Sequence, residues 1–100
     1  MIADGVAYAC SEGNQLNALD ADTGKRHWTF TAEDNLRADP TVSGGVVYAA
    51  DHSGTLSALD TATGAKLWSF PTGATVEYAP IVANGTLYLA SGPDLHALAL

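Results

Sequence analysis

The chain has one cysteine, Cys10, in 100 residues. A single thiol cannot close an internal disulfide, so no covalent staple holds this fold. Basic residues are almost as scarce: four Lys and Arg stand against eleven Asp and Glu, a formal net charge of −7. Gripping a nucleic-acid backbone or an anionic membrane surface takes a basic face, so the balance argues against both partners. No apolar run reaches the roughly 18 residues of a membrane-spanning helix, so no membrane insertion is expected. The opening Met1-Ile2-Ala3-Asp4-Gly5 has neither a basic head nor an apolar core and does not read as a signal peptide. Helical periodicity is missing as well. Short β-rich runs alternate instead with Gly, Asp, Asn and Ser turns, the pattern of an all-β chain.

What the chain does have is a repeat. Ala18-Leu19-Asp20-Ala21-Asp22-Thr23-Gly24-Lys25-Arg26-His27-Trp28 returns as Ala58-Leu59-Asp60-Thr61-Ala62-Thr63-Gly64-Ala65-Lys66-Leu67-Trp68. Phe30 and Phe70 keep the same interval, as do Pro40 and Pro80, and Tyr8, Tyr48 and Tyr88. A period of about 40 residues is the length of one four-stranded propeller blade. Residues repeated in phase are packing residues first.

Aligned on the tyrosines, each unit reads as up to four strands. The first is Ile2-Ala3, Thr41-Val42-Ser43 and Ile81-Val82-Ala83, each before glycine. The second is 6–10, 46–50 and 86–90; the third is 15–19, 55–59 and 94–98; the fourth is 26–30 and 66–70. Neighbouring strand residues point to opposite faces, so Val46-Val47-Tyr48-Ala49-Ala50, apolar on both, predicts a sheet covered on both sides. The reading is one partial β-propeller domain over residues 1–100, all-β, of four-stranded antiparallel blades. Blade 1 covers about 1–36, blade 2 about 37–76 and an incomplete blade 3 about 77–100, so between two and three blades are present.

Residues 45–70 closely resemble the pyrroloquinoline-quinone-type (PQQ-like) β-propeller repeat, and the resemblance extends over the whole chain. Its strongest element is the tryptophan-docking motif, here Ala18, Gly24, Trp28 and Ala58, Gly64, Trp68. In that family the motif fastens blades together: a flat indole needs a residue without bulk beneath it and an acceptor for its N–H. The third unit keeps Ala97 but not the motif's glycine and tryptophan that would follow it. The resemblance implies no single activity. Some members are quinone-dependent alcohol or sugar dehydrogenases. Many bind no cofactor, among them a Gram-negative outer-membrane assembly lipoprotein and sensor propellers of bacterial kinases. Many members are extracytoplasmic. The family's dehydrogenases use calcium, acidic ligands and an adjacent-cysteine disulfide, which Cys10 alone cannot form.

Individual residues point the same way. Asp20 and Asp60 read as turn residues that accept local backbone N–H bonds. His27, His52 and His96 occupy three different repeat positions, whereas a metal site built by repetition would recur in phase. Cys10 stands where Ala50 and Ala90 stand and reads as a small buried filler. Asn84-Gly85-Thr86 matches a glycosylation acceptor but lies in a tight turn. The informative positions are those where repeats differ: Leu36-Arg37-Ala38-Asp39-Pro40 against Val76-Glu77-Tyr78-Ala79-Pro80. In the family this stretch faces the mouth of the central channel, so Arg37, Asp39, Glu77 and Tyr78 are the candidate binding surface. No catalytic, cofactor-binding or metal-ligating residue is expected.

The function expected is a non-catalytic scaffold for protein interaction or ligand sensing. The alternatives are part of a PQQ-dependent dehydrogenase, or a saccharide- or peptide-binding propeller. The third unit stops after its third strand, which reads as the C-terminal part of a larger propeller. Its partners are then the parent's remaining blades or another protein. Expressed alone, the chain is expected to expose the faces carrying Val47, Leu87 and Leu89, with an open edge at Leu95–Leu100, and to self-associate.

Overall fold

The computed structural model describes residues 2–11, 13–36 and 38–100, with Ser11 described by its backbone alone. The described residues form three antiparallel sheets and no helix. The first sheet is Ile2–Ala3 (β1), Val6–Ser11 (β2), Gln15–Asp20 (β3) and Arg26–Thr31 (β4), in the order β1-β2-β3-β4. The second is Thr41–Ser43 (β5), Val46–Ala50 (β6), Thr55–Asp60 (β7) and Lys66–Pro71 (β8), in the same meander. The third holds Ile81–Ala83 (β9), Thr86–Ser91 (β10) and Asp94–Ala99 (β11), and β10 lies between the other two. The chain is thus a partial propeller of two four-stranded sheets and one three-stranded sheet.

Register repeats with the sequence. Tyr8 pairs with Ala18 and Ala18 with Trp28; Tyr48 pairs with Ala58 and Ala58 with Trp68. Cross-strand partners share a face. Each row therefore sets a tyrosine and a tryptophan on either side of an alanine. The small methyl leaves the rings free to meet across it, at centroid separations of 6.0 Å in both sheets. Both third-to-fourth strand pairings shift register just after that alanine, with Leu19 opposite Arg26 and Leu59 opposite Lys66. One extra residue, His27 or Leu67, is accommodated in the fourth strand there, a β-bulge. Leu67 is consequently left exposed.

The core lies between sheets. Tyr8, Leu16, Ala18 and Trp28 of the first sheet pack on Val47, Ala49 and Leu59 of the second, with Leu36 from the intervening connector. Tyr48, Ala50, Leu56 and Ala58 of the second pack on Leu87 and Leu89 of the third, with Val76 in the equivalent connector position. Each fully buried Leu or Val contributes on the order of 1.5–3 kcal/mol relative to exposure. β6 is buried on both faces because sheets cover it on both sides.

This arrangement corrects one expectation. Val47, Leu87 and Leu89 do not lie on open faces; all three point back at the preceding sheet and are buried. The open face of the third sheet is the opposite one, carrying Ile81, Tyr88 and Leu95. An apolar strand tells that both faces are covered without telling which neighbour covers which face.

Trp28 reaches across to the second sheet. Its indole Nε1–H donates to the Thr61 carbonyl at 2.9 Å. Its ring lies where a side chain on Gly64 would stand: an ideal Cβ there would sit 2.6 Å from Trp28 Cδ2. Gly64 also has φ +76°, a left-handed conformation that favours glycine. Trp28 is only 9% exposed, whereas Trp68, its repeat counterpart, is 37% exposed.

Gly64→Ala is therefore expected to cost more than Gly24→Ala. Both positions have φ +76°, but an added Cβ at Gly24 meets nothing within 4 Å. Both pay about 1–2 kcal/mol for the left-handed backbone, and Gly64→Ala alone adds about 1–3 kcal/mol of overpacking. Urea unfolding of the two variants checks this; equal losses would contradict the contact with Trp28.

Candidate functional site

Meander topology gives the sheets two distinct ends. The β2–β3, β6–β7 and β10–β11 turns share one end with the connectors 32–40 and 72–80 that lead from one sheet to the next. The β1–β2 and β3–β4 turns, with their counterparts, lie at the other. At the connector end the described charged residues are carboxylates: Glu33, Asp34, Asp39, Asp51, Glu77 and Asp94. Lys25, Arg26 and Lys66 begin the fourth strands, at the opposite end.

The connectors are laced to the turns beside them. Leu36 N–H donates to the Gly13 carbonyl, His52 N–H to the Asn35 carbonyl at 2.7 Å, and Gly92 N–H to the Thr75 carbonyl at 2.9 Å. Around the second connector sits a hydroxyl network. Ser91 Oγ, fully buried, lies 2.6 Å from Thr72 Oγ1 and 2.8 Å from the Ala74 carbonyl. Thr72 Oγ1 in turn lies 2.7 Å from the Gly54 carbonyl. Asp51 is buried too, and its Oδ1 accepts from Thr55 N–H at 3.0 Å and from the Ser53 hydroxyl at 2.6 Å. Sequence reasoning missed Asp51, Thr72 and Ser91. For Asp51 the polar string Asp51-His52-Ser53-Gly54-Thr55 held a turn-capping signal. Thr72 replaces Ala32 of the preceding unit, and that substitution was the available clue.

On this frame, Glu77 and Tyr78 border a depression of about 280 Å³ with Thr75, Ala90 and Gly92. Tyr78 is 72% exposed, whereas its repeat counterpart Ala38 is buried. Asp39 is exposed and lies apart from that depression. Arg37 falls outside the described residues. The structure thus brings Glu77 and Tyr78 together and sets Asp39 near Cys10, whose thiol its charge affects.

Two grooves at the opposite end are repeat copies of each other. Val6, Tyr8, Val42, Gly45 and Thr61 line one of about 300 Å³; Val46, Tyr48, Val82, Gly85 and Leu100 line one of about 350 Å³. Their recurrence in phase makes them products of sheet stacking. A further groove of about 330 Å³ runs along the first-sheet side of β8, between Lys66 and Pro71, and is bounded by Glu33 and Asp51.

The turn aspartates sit in matching loops. Asp20 Oδ1 accepts from Asp22 N–H at 2.9 Å and Thr23 N–H at 3.0 Å; Asp60 Oδ1 accepts from Ala62 N–H at 2.8 Å and Thr63 N–H at 3.3 Å. The Thr23 and then the Asp22 backbone bonds hold the Asp20 carboxyl below its ordinary range. His27 Nε2 stands 3.8 Å from Asp20 Oδ2, an exposed pair of small energetic weight. Among the described residues, no three His, Cys, Asp or Glu side chains gather closely enough to hold a metal ion. No helix is long and apolar enough to cross a membrane.

Cys10 differs from expectation: it is exposed, not buried. Its cross-strand partner Leu16 belongs to the first apolar cluster but Cys10 itself does not, whereas its counterpart Ala50 is packed beneath the third sheet. Its sulfur is nonetheless partly enclosed. That desolvation first, and the Asp39 carboxylate second, raise the thiol pKa. Alkylation of Cys10 is expected to rise with a midpoint above the ordinary thiol value of about 8.5. Asp39→Asn lowers that midpoint. Iodoacetamide rates against pH check this; an unchanged midpoint in the variant would separate Asp39 from the thiol.

Repeated four-stranded antiparallel sheets stacked face to face, each a meander, define the class: a β-propeller repeat protein. The family model for the outer membrane protein assembly factor BamB matches residues 1–100, and the chain belongs to that family. Among solved structures, BamB from Moraxella catarrhalis superposes with a TM-score of 0.86 at 29% identity, over 98% of this chain and 31% of that one. A quinohemoprotein alcohol dehydrogenase from Comamonas testosteroni gives 0.81 at 28% identity, over 92% of this chain and 16% of that one. The computationally designed protein Ika8 matches with a TM-score of 0.87 at 14% identity, which shows the fold alone. This chain therefore spans under a third of the natural proteins it resembles. No curated protein matches it.

Proposed function

We propose that this chain is a non-catalytic segment of a BamB-like propeller and binds a protein partner at its connector end. The observation that carries the reading is Tyr78. At a repeat position where Ala38 is buried, Tyr78 is 72% exposed beside Glu77 and a shallow depression. An exposed aromatic next to a charge is a common binding anchor and contributes nothing to stacking. Asp39, apart from the depression, lies at the same end of the sheets, and the carboxylates there favour a partner segment with basic residues. Ala18, Gly24 and Trp28, with Ala58, Gly64 and Trp68, serve as docking residues between blades. The blade boundaries fall near residues 36 and 76, within the connectors.

The test is photo-crosslinking from the native cell. A crosslinking residue replaces Tyr78 in one protein and exposed Ala62, at the opposite end, in another. Discrete protein adducts at position 78 and none at 62 are expected. Equal labelling, or none, would overturn the connector-end assignment.

A second reading, part of a PQQ-dependent dehydrogenase, draws on the 28% identity to the Comamonas enzyme across 92% of this chain. Calorimetric titration with pyrroloquinoline quinone and calcium separates the two. The scaffold reading predicts no saturable heat; micromolar binding lost in Asp20→Asn or Asp60→Asn would favour the enzyme.

A further inference from the structure

The two interfaces between sheets differ at one repeat position. Between the second and third sheets the position is filled. His96 stands edge-on to Phe70, ring centroids 5.6 Å apart, and Ser91 Oγ meets Thr72 Oγ1. Between the first and second sheets the counterparts of those four residues are Ser57, Phe30, Asp51 and Ala32. A hydroxymethyl replaces the imidazole and a methyl replaces the Thr72 side chain. All four line the groove of about 330 Å³ beside β8. Both of its walls belong to sheets already packed on each other.

Two polar side chains of the groove are buried and lack partners. Ser57 is 7% exposed and lies on the face of β7 turned to the first sheet, in the row of Ala49 and Ser69. Its hydroxyl makes no hydrogen bond among the described residues. Asp51 is 3% exposed; its Oδ1 accepts two bonds, and its Oδ2 accepts none among the described residues. A buried polar group is costly to leave unpaired, so both call for a donor. Glu33, exposed on the same groove, has no ion-pair partner among the described residues either. Lys66 stands toward the other end of β8 from Pro71, five residues or roughly 16 Å away.

We propose that this groove binds a guanidinium group, the side chain of an arginine in a partner segment. Asp51 Oδ2, the Glu33 carboxylate and the Ser57 hydroxyl accept from its N–H groups. A planar cation with five donors suits several acceptors at once and stacks on an aromatic ring, which Phe30 supplies. Lys66 repels the cation and so fixes the end it occupies. That the arginine arrives on a protein rests on the connector-end reading; the guanidinium site stands on the groove alone.

Titration with the capped tripeptide acetyl-Gly-Arg-Gly-amide, followed by NMR of the amide groups, tests this. Saturable shifts are expected at Thr55, Ser57 and Ser69. The citrulline peptide, which keeps the shape and loses the charge, is expected to give none. Glu33→Gln, at an exposed position that leaves the fold intact, should weaken binding about two- to fivefold. Ser57→His fills the groove as His96 fills its counterpart and should abolish the shifts, with the near-ultraviolet signal of buried Trp28 unchanged. Absence of saturable shifts in the parent chain, or an equal response to the citrulline peptide, would overturn the proposal. Shifts at Thr75, Glu77 and Gly92 instead would also overturn it, while leaving the connector-end reading in place. Shifts at Ser57 with no crosslink at position 78 would support the guanidinium site and remove the connector-end partner.

Discussion

The stack of sheets depends on one contact, the indole of Trp28 laid on the backbone of Gly64. A sheet with both faces apolar has no stable existence alone; it needs a cover on each side. Side-chain burial supplies the attraction between sheets but does not set their offset, because leucines and alanines slide against one another at little cost. A hydrogen bond from Nε1 to the Thr61 carbonyl and a ring seated on a glycine do set it. Ala18 beneath the ring and Tyr8 beside it hold the indole in that pose. The three residue types are needed together: bulk at 28, and its absence at 18 and 64.

Much of this was legible in the sequence. Strand limits agree with the alternating pattern to within about one residue, because turns at Gly5, Gly45 and Gly85 punctuate every unit. The repeat also exposed Ala18, Gly24 and Trp28 as a set. It did not show that the glycine meeting Trp28 belongs to the following unit, since in-phase copies look alike whichever pairs with which. Direction was illegible for the same reason at Val47, Leu87 and Leu89. Cys10 was misread because the burial of Ala50 comes from the third sheet and its connector, not from the strand that carries it.

The connector end was less legible. Divergence between Ala38 and Tyr78 marked it, and the depression beside Glu77 gives that divergence a shape. The hydroxyls of Thr72 and Ser91 anchor the second connector where the first has Ala32, so the two connectors are held by different chemistry. Such a scaffold keeps its repeated residues for stacking and its unrepeated ones for the surface. The described charged residues of the connector end are carboxylates, whereas Lys25, Arg26 and Lys66 lie at the other end together with Asp4, Asp20, Asp22 and Asp60.

The central claim is that Trp28 is locked between sheets while Trp68, its repeat twin, is not. Hydrogen exchange of the two indole N–H groups, followed by NMR, tests it most directly. Trp28 Nε1–H donates to the Thr61 carbonyl, and Trp68 has no such bond among the described residues. The account predicts strong protection of Trp28 and exchange near the free rate for Trp68. Equal exchange at both would show that the sheets are not docked through Trp28.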